Sequence, residues 1–196
     1  MNVIEHYDKL IEENNDPFHD SPLMQEYMNK WDGIPFISAM QLNKNKKVLE
    51  IGIGTGRIAT KVAPLCSALV GIDISPKTIE RAKINLAVHK NISLICDDFI
   101  SHSFDSKFDV IYSSLTMMHF KNKVKVINKV SNLLYESGIF CLSIDKNQSE
   151  WLDYGNRKIK IYPDNLENIK SLTQNSELKI VEIIESEFAY IIVSHK

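Results

Sequence analysis

The amino-acid sequence predicts an α/β fold built on a doubly wound, mostly parallel sheet, and three observations support that class. Between residues 47 and 144, short apolar runs alternate with segments of helical periodicity, as in successive βαβ units. The first apolar run leads into three glycines at alternate positions, which is typical of a turn between a strand and a helix. Residues 178–184 and 187–193 then alternate as two closing strands. Parallel strands need crossover connections, so we expect helices on both faces of the sheet.

The individual elements can be placed in chain order. Helical spacing dominates residues 3–14 and 21–41, with breaks at Asp16-Pro17 and at Gly33-Ile34-Pro35. The core strands are expected near 47–51, 68–73, 91–96, 108–113 and 138–144, and the core helices near 56–65, 76–88 and 121–135. A polar stretch over 145–154, an apolar piece at 158–162 and a helix near 163–175 precede the closing strands. We expect a single domain over 1–196, with 1–42 as a helical N-terminal cap and 43–196 as the core.

The glycine turn after the first strand is the most informative segment of the chain. Gly52, Gly54 and Gly56 allow a tight turn and let a ligand approach the backbone without Cβ atoms in the way. A dinucleotide fingerprint reads G-x-G-x-x-G and holds a pyrophosphate, but here Arg57 stands where its third glycine would be. Glu50, at the end of the strand, also disfavours an anion. The loop better suits a ligand with an ammonium group and no phosphate, such as S-adenosylmethionine.

Acids also end the next two predicted strands. Asp73 closes the second strand, where a carboxylate can accept hydrogen bonds from two ribose hydroxyls, and Ile74 beside it is a further candidate contact. The third apolar run ends in Asp97 and Asp98, which offer a carboxylate to an adenine amino group. Phe99 offers an apolar flank for the adenine ring. Three successive strands therefore each end in an acid that could contact one part of an adenosine-containing ligand.

Together these motifs resemble the class I S-adenosylmethionine-dependent methyltransferases, of the small single-domain kind that acts on small molecules. Glu50-x-Gly52-x-Gly54-x-Gly56 is similar to the first motif of that family, Asp73 to its ribose acid, and Asp98-Phe99 to its adenine pair. Residues 108–120 are similar to its fourth-strand motif, within which Ser113 is a candidate cofactor contact. Residues 133–144 are similar to the helix end, turn glycine and fifth strand.

The resemblance implies a Rossmann-like, seven-stranded sheet with an antiparallel last strand, and methyl transfer by in-line displacement. The family's usual glycine before the adenine acid is Asp97 here, so the choice between Asp97 and Asp98 as the adenine contact stays open. The motifs extend from about residue 47 to 144. Neither the methyl acceptor nor the oligomeric state follows from them.

Composition and charge disfavour other kinds of partner. The chain has 44% apolar and 24% charged residues, which is ordinary globular composition, and its net charge is −2. No Lys/Arg cluster of the kind that neutralises phosphates is present, so a nucleic-acid substrate is disfavoured. The segment 113–116 also lacks the Asn/Asp-Pro-Pro-Tyr/Phe sequence that is typical of methyltransferases acting on base or amide nitrogens. A small-molecule acceptor is therefore expected.

Location and metal content are predicted from equally simple patterns. No apolar stretch approaches the roughly 20 residues that cross a membrane, and the N-terminus does not resemble a secretory signal, so a cytoplasmic protein without membrane association is expected. Cys66, Cys96 and Cys141 stand far apart among apolar neighbours, which favours buried thiols. Neither a disulfide framework nor a metal-ligand spacing can be drawn, so no metal site is predicted.

The acceptor is expected over residues 113–119 and 145–162, because open parallel sheets bind ligands beyond the carboxyl ends of their strands. His119 is the candidate general base there, with Asp145 behind it, if the acceptor must lose a proton. An amine or thiolate acceptor would need no base. His119 could instead be a packing histidine.

Four further residues are candidate substrate contacts: Tyr7, Trp31, Tyr154 and Arg157. The two N-terminal aromatics lie in amphipathic segments that we expect to close over the site as a lid, although such helices could also simply pack on one end of the sheet. Arg157 could clamp a substrate carboxylate or could be ordinary surface charge.

Two other functions stay open from the sequence. A non-catalytic S-adenosylmethionine-binding module could retain the same cofactor pocket, since a fold does not prove an activity. A nicotinamide-dependent oxidoreductase could use a similar glycine loop, but Arg57 and Glu50 both argue against it.

Overall fold

The computed structural model describes all 196 residues, and its main feature is a seven-stranded sheet flanked by helices. The strands are β1 (Lys47–Ile51), β2 (Ala68–Asp73), β3 (Ile92–Cys96), β4 (Phe108–Ser114), β5 (Leu134–Asp145), β6 (Trp151–Asp153), β7 (Lys158–Lys160), β8 (Lys179–Glu185) and β9 (Ala189–His195). The helices are α1 (Val3–Glu12), α2 (Pro22–Asp32), α3 (Ile34–Ala39), α4 (Ala59–Val62), α5 (Pro76–Asn85), α6 (Lys123–Leu133) and α7 (Leu166–Gln174). None of the helices combines the length and apolar character that crossing a membrane requires.

The large sheet has the strand order β3-β2-β1-β4-β5-β9-β8. The pairs from β3 to β5 are all parallel, whereas β9 is antiparallel to both of its neighbours. The expected doubly wound, seven-stranded sheet with an antiparallel last strand is confirmed. The order reverses between β1 and β4, and such switch points are where open α/β sheets bind ligands.

Successive residues of the central strands supply two separate core layers. Val48 and Val110 pack with Phe36 on one face of the sheet, while their neighbours Leu49 and Ile111 pack on the other. Side chains alternate across a strand, so an uninterrupted apolar run buries both faces. This explains why the central strands read as continuous apolar segments.

Several element boundaries differ from the sequence-based prediction. The helix expected after the glycine loop is only the short α4 followed by a 3₁₀ turn at Ala63–Leu65, because Pro64 has no backbone N–H to continue the helix. Strand β5 begins at Leu134, which pairs with Phe108 before a register shift. The end of the polar stretch and the start of the apolar piece pair as the hairpin of β6 and β7, which was not expected. Cys96 is exposed rather than buried.

The N-terminal helices pack against the carboxyl side of the sheet and its flanking helix. The backbone carbonyl of Trp31 accepts a hydrogen bond from Ser143 Oγ of β5 (2.7 Å), which fixes the end of α2. Helix α1 lies against α5, where Asp8 accepts from Ser75 Oγ (2.7 Å) and from the Lys77 N–H (3.2 Å). A carboxylate at a helix N-terminus is stabilised by the unpaired N–H groups there. Asp8 thus anchors α1 beside the open end of the sheet.

Candidate active site

A cavity of about 370 Å³ lies at the carboxyl ends of the central strands. This volume is within the range of roughly 300 to 1,000 Å³ that is typical of small-molecule sites. The glycine loop and the acids at the ends of β1, β2 and β3 form its floor, the turn after β4 forms one side, and α1 covers the top. The switch point of the sheet and the N-terminal helices therefore meet at one site.

The glycine loop is open to the cavity at one position. Gly54 has φ +57°, and a Cβ built on it would meet no atom within 4 Å. At Gly52 the same atom would lie 2.1 Å from Thr116 Oγ1, so that glycine is required by packing against the turn after β4. The free space above Gly54 fits a loop that lets a ligand approach its backbone.

Asp73 is held rigidly at the end of β2. One oxygen of its carboxylate accepts from the Gly54 N–H (3.0 Å) and the other from the Ser75 N–H (3.0 Å). Burial raises the pKa of the Asp73 carboxyl, and these backbone hydrogen bonds oppose the shift. Each carboxylate oxygen keeps a second lone pair, so Asp73 can still accept hydrogen bonds from a ligand hydroxyl.

Glu50 is an almost fully buried acid in the wall of the cavity. Its carboxyl accepts a hydrogen bond from the Tyr112 hydroxyl (2.6 Å). Burial raises the pKa of Glu50 to about 8, while the Tyr112 hydrogen bond and the charge of Arg57 act in the opposite direction. A buried acid with so little neutralisation from the protein is suited to receive a cationic group.

The two acids after β3 are both in the cavity wall and both shape their own turn. Asp97 accepts from the Asp98 N–H (2.8 Å) and contacts His102 Nδ1 (2.9 Å), and the hydrogen bond with His102 is the main reason that the pKa of Asp97 is lowered. Asp98 accepts from the Ser101 N–H (2.9 Å). Phe99 is buried next to them. The geometry leaves the choice of adenine contact open.

Tyr7 of α1 meets His119 of the turn after β4 at the top of the cavity. The Tyr7 hydroxyl and His119 Nε2 are 2.8 Å apart, and both side chains line the cavity. Burial lowers the pKa of His119 to about 4, with the charges of His6 and Lys123 acting in the same direction. Burial also raises the pKa of the Tyr7 hydroxyl. Both groups are therefore neutral at pH 7.

A family model described as a methyltransferase domain matches residues 42–190, which is most of the chain. The chain belongs to this family. The class expected from the glycine loop and the strand-end acids, a class I S-adenosylmethionine-dependent methyltransferase, is thereby confirmed.

Two relatives each match about half of this chain. Malonyl-[acyl-carrier protein] O-methyltransferase 1 of Ilyobacter polytropus is 29% identical over 108 residues, which cover 54% of this chain and 40% of the relative. Nodulation protein S of Sinorhizobium fredii is 30% identical over 108 residues, which cover 53% of this chain and 50% of the relative. The chain thus spans half or less of the length of these two relatives.

A solved structure matches the full length of this chain. The N-methyltransferase NodS from Bradyrhizobium japonicum WM9, in complex with S-adenosyl-L-homocysteine, aligns with a TM-score of 0.77 over 100% of this chain and 99% of its own. The identity is 19%, so this likeness concerns the fold.

Most of the sequence-predicted site residues meet at the cavity. Those in its wall are Tyr7, Glu50, Gly52, Gly54, Asp73, Ile74, Asp97, Asp98, Phe99, His119 and Tyr154. Their contacts with a ligand stay predictions.

The two remaining cofactor candidates lie outside the cavity wall. Gly56 faces away from the cavity, because a Cβ there would lie 2.8 Å from Leu86 Cδ1 and Cγ in the core. Ser113 is buried and donates to the Ile51 carbonyl (3.1 Å). Its neighbour Ser114 is in the cavity wall instead, since successive side chains of a strand face opposite sides.

Three acceptor-side candidates also lie outside the cavity wall. The Trp31 ring packs on Phe188, with ring centroids 4.7 Å apart. The Arg157 guanidinium is bound by both carboxylate oxygens of Glu13 (2.7 and 2.6 Å), so it is not available to clamp a substrate carboxylate. Asp145 accepts from the Asn147 N–H (2.7 Å) in its own turn.

Sequence reasoning missed an ion pair that Arg57, in the cavity wall, forms with an acid outside the wall. Arg57 donates to both oxygens of Asp32 (2.9 and 2.5 Å), the last residue of α2. Ser114 Oγ donates to the same carboxylate (2.6 Å). The position of Arg57 in the glycine motif was the available signal, but nothing in the sequence indicated its partner. The wall also contains Leu115 with φ +53°, a strained conformation for a non-glycine residue.

Proposed function

We propose that this protein transfers a methyl group from S-adenosylmethionine to a small-molecule acceptor. The observation that carries the proposal is the cavity in which an unobstructed glycine loop at Gly54 adjoins two acids, the buried Glu50 and the partly buried Asp73. The cytoplasmic location expected from the sequence is part of the same proposal. The family supports the reaction class, whereas the acceptor is inferred from the site alone.

Three groups of residues would hold the cofactor. Asp73 would accept the ribose hydroxyls, Asp97 or Asp98 would accept the adenine amino group, and the Glu50 carboxylate would pair with the ammonium group. When bound, S-adenosylmethionine supplies a methyl group on a sulfonium, which is already activated for displacement. The protein then needs mainly to align the acceptor and to exclude water.

Residues 1–42 would act as a cap over the core at residues 43–196, and the cap and the core together would form one domain. Val3, Tyr7 and Leu10 of α1 line the cavity, and Met28 of α2 joins them. Apolar side chains in this position would exclude water from the sulfonium and from the attacking atom. Closure of such a segment after ligand binding is a common means of completing a site.

His119 would orient the acceptor or the Tyr7 hydroxyl rather than take a full proton at neutral pH. A general base works best when its pKa is near the working pH, and burial lowers the pKa of His119 to about 4. The imidazole stays neutral and keeps a lone pair for a hydrogen bond. This favours an acceptor that reacts without losing its proton first to the protein, such as a neutral amine.

The charges around the cavity support an acceptor without a carboxylate or phosphate at its reacting end. Arg57, the one basic lysine or arginine side chain in the wall, is bound by Asp32, and Arg157 nearby is bound by Glu13. Glu50 and Asp73 add acidic groups. An anionic acceptor would therefore have no unpaired cation to receive it.

Ligand binding tests the cofactor assignment. We expect S-adenosylhomocysteine to raise the melting temperature of the protein and NADH to leave it unchanged, because only a bound ligand stabilises the native state. Asp73→Asn should weaken S-adenosylhomocysteine binding about tenfold to a hundredfold in calorimetry, since it removes a charged acceptor. Asp105→Asn, an exposed acid outside the cavity, is the matched control.

Stabilisation by NADH alone would instead favour the oxidoreductase. Transfer is then followed with methyl-labelled S-adenosylmethionine and a panel of small amines, alcohols, thiols and carboxylates. Label in an amine product would support the proposal. Strong binding without label in any product would favour the non-catalytic module.

A further inference from the structure

Asp32 occupies an unusual place for an acid. It is the last residue of α2, its side chain is fully buried, and it binds both Arg57 and Ser114. A negative charge in the last turn of a helix is unfavourable because the helix dipole already places partial negative charge there. Helix stability therefore does not explain Asp32. The hydrogen bonds that Asp32 accepts from Arg57 and Ser114 explain its position, and both of these residues lie in the cavity wall.

The bidentate contact fixes the direction of the Arg57 guanidinium. Two parallel N–H···O bonds to one carboxylate hold the planar group in a single orientation. Glu50 lies in the same wall, yet its hydrogen bond comes from Tyr112 and it has no ion pair with Arg57. The protein thus contains a buried acid and a nearby guanidinium that are not paired with each other.

The charge of Arg57 is one of the causes that shift the pKa of Glu50, so the Arg57 guanidinium and the Glu50 carboxyl are within electrostatic reach of each other. Burial is the main reason that the pKa of Glu50 is raised. The Tyr112 hydrogen bond and the charge of Arg57 lower the pKa, and the charges of Asp32 and Asp73 raise it. Without Asp32, the guanidinium would lose its bound acid. The charge of Arg57 also reaches Asp20 and Glu50, and of these two acids only Glu50 lies in the cavity wall.

We propose that Asp32 is a positioning residue that holds the Arg57 guanidinium away from Glu50 and so keeps the Glu50 carboxyl available for the ammonium group of the cofactor. The inference rests on the proposed function, because it assigns that ammonium group to Glu50. It also links the lid to the cofactor loop, since Asp32 ends α2 and Arg57 follows the glycines.

Proton release on binding separates this role from simple packing. At pH 7 a Glu50 with a pKa of about 8 carries about 0.9 of a proton, which it must lose to pair with an ammonium group. Calorimetry with S-adenosylhomocysteine in phosphate and in Tris measures that release. We expect the wild type to release most of one proton. Asp32→Asn should release almost none, because Arg57 would already have ionised Glu50, and should bind about tenfold more weakly.

The double variant Asp32→Asn with Arg57→Gln is the decisive comparison. It removes the guanidinium together with its partner, so proton release should return to most of one proton. This variant buries no unpaired charge and remains informative if Asp32→Asn does not fold. Glu187→Gln, which breaks the exposed ion pair between α2 residue Lys30 and Glu187, is the control and should behave as the wild type.

Two results would overturn the inference. One is a proton release by Asp32→Asn equal to that of the wild type. The other is a double variant that releases less than half of the wild-type amount, which would make Asp32 a packing residue. A wild type that does not bind S-adenosylhomocysteine at all would overturn the proposed function itself, and this inference with it.

Discussion

At the scale of single residues, the three glycines of the loop differ in what a side chain at each position would contact. All have positive φ, at +76° for Gly52, +57° for Gly54 and +98° for Gly56. A Cβ at Gly56 would meet the buried Leu86 side chain, whereas a Cβ at Gly54 would project into open space. A side chain would strain the backbone at both positions. A comparison of substitutions at Gly54 and Gly56 therefore separates the effect of a side chain on ligand binding in the cavity from its effect on the backbone.

Alanine substitution should separate the two effects. We expect Gly54→Ala to weaken S-adenosylhomocysteine binding at least tenfold while costing about 1 to 2 kcal/mol of folding stability, the usual strain of an L-residue at positive φ. Gly56→Ala should cost more stability, because Leu86 must also move. Calorimetry gives the affinities and thermal denaturation the stabilities. Unchanged affinity in Gly54→Ala would contradict a loop that cradles the ligand.

At the scale of elements, α1 is held at two sides of the cavity. Asp8 binds the N-terminus of α5, while Glu13, just after the helix, binds Arg157 in the turn between β6 and β7. Tyr154 of the same turn packs against His6, with ring centroids 4.6 Å apart. The hairpin and α1 thus form one continuous cover, joined by an ion pair that is accessible to solvent at Glu13.

Hydrogen exchange tests whether this cover responds to ligand. We expect amides of residues 3–12 to exchange more slowly when S-adenosylhomocysteine is added, because a closed lid opens less often. Glu13→Gln should speed their exchange severalfold, since it releases the hairpin. Glu12→Gln, which removes the exposed pair with Lys77, is the control. Equal exchange with and without ligand would leave α1 as a packing element.

At the scale of the whole molecule, the fold shifts the pKa values of two side chains in the cavity wall in opposite directions. The folded protein raises the pKa of Glu50 to about 8 and lowers that of His119 to about 4, in both cases mainly by burial. The stability contributed by neutral Glu50 is complete below its unfolded pKa near 4.5 and is lost as the pH rises towards 8. That contributed by neutral His119 is complete above about 6.5 and is lost towards pH 4.

Glu50→Gln should therefore remove the alkaline loss of stability. Between pH 6 and pH 8 we expect the wild type to lose about 2 kcal/mol more unfolding free energy than Glu50→Gln. The amide keeps an acceptor for the Tyr112 hydroxyl but cannot ionise. Urea denaturation at the two pH values measures the difference. Parallel changes in both proteins would mean that Glu50 is already ionised at pH 6.

The sequence by itself determined the strand–loop–helix order, the glycine turn and the acids at the ends of β1, β2 and β3. These features are local, because alternation and turn residues depend only on neighbours along the chain. The antiparallel β9 came from the family resemblance rather than from any pattern. The hairpin of β6 and β7 escaped prediction because its strands have only three residues each.

Only the tertiary structure decided which side chains pair. Tyr7 meets His119 across 112 residues, Arg157 meets Glu13 across 144, and Arg57 meets Asp32 across 25. No periodicity encodes such partners, since they depend on how the N-terminal helices pack over the sheet. The same packing pairs Arg157 with Glu13 at the end of α1, and pairs Asp32 with Arg57 after the glycine loop. Burial, a property of the whole fold, then makes His119 a poor base at neutral pH.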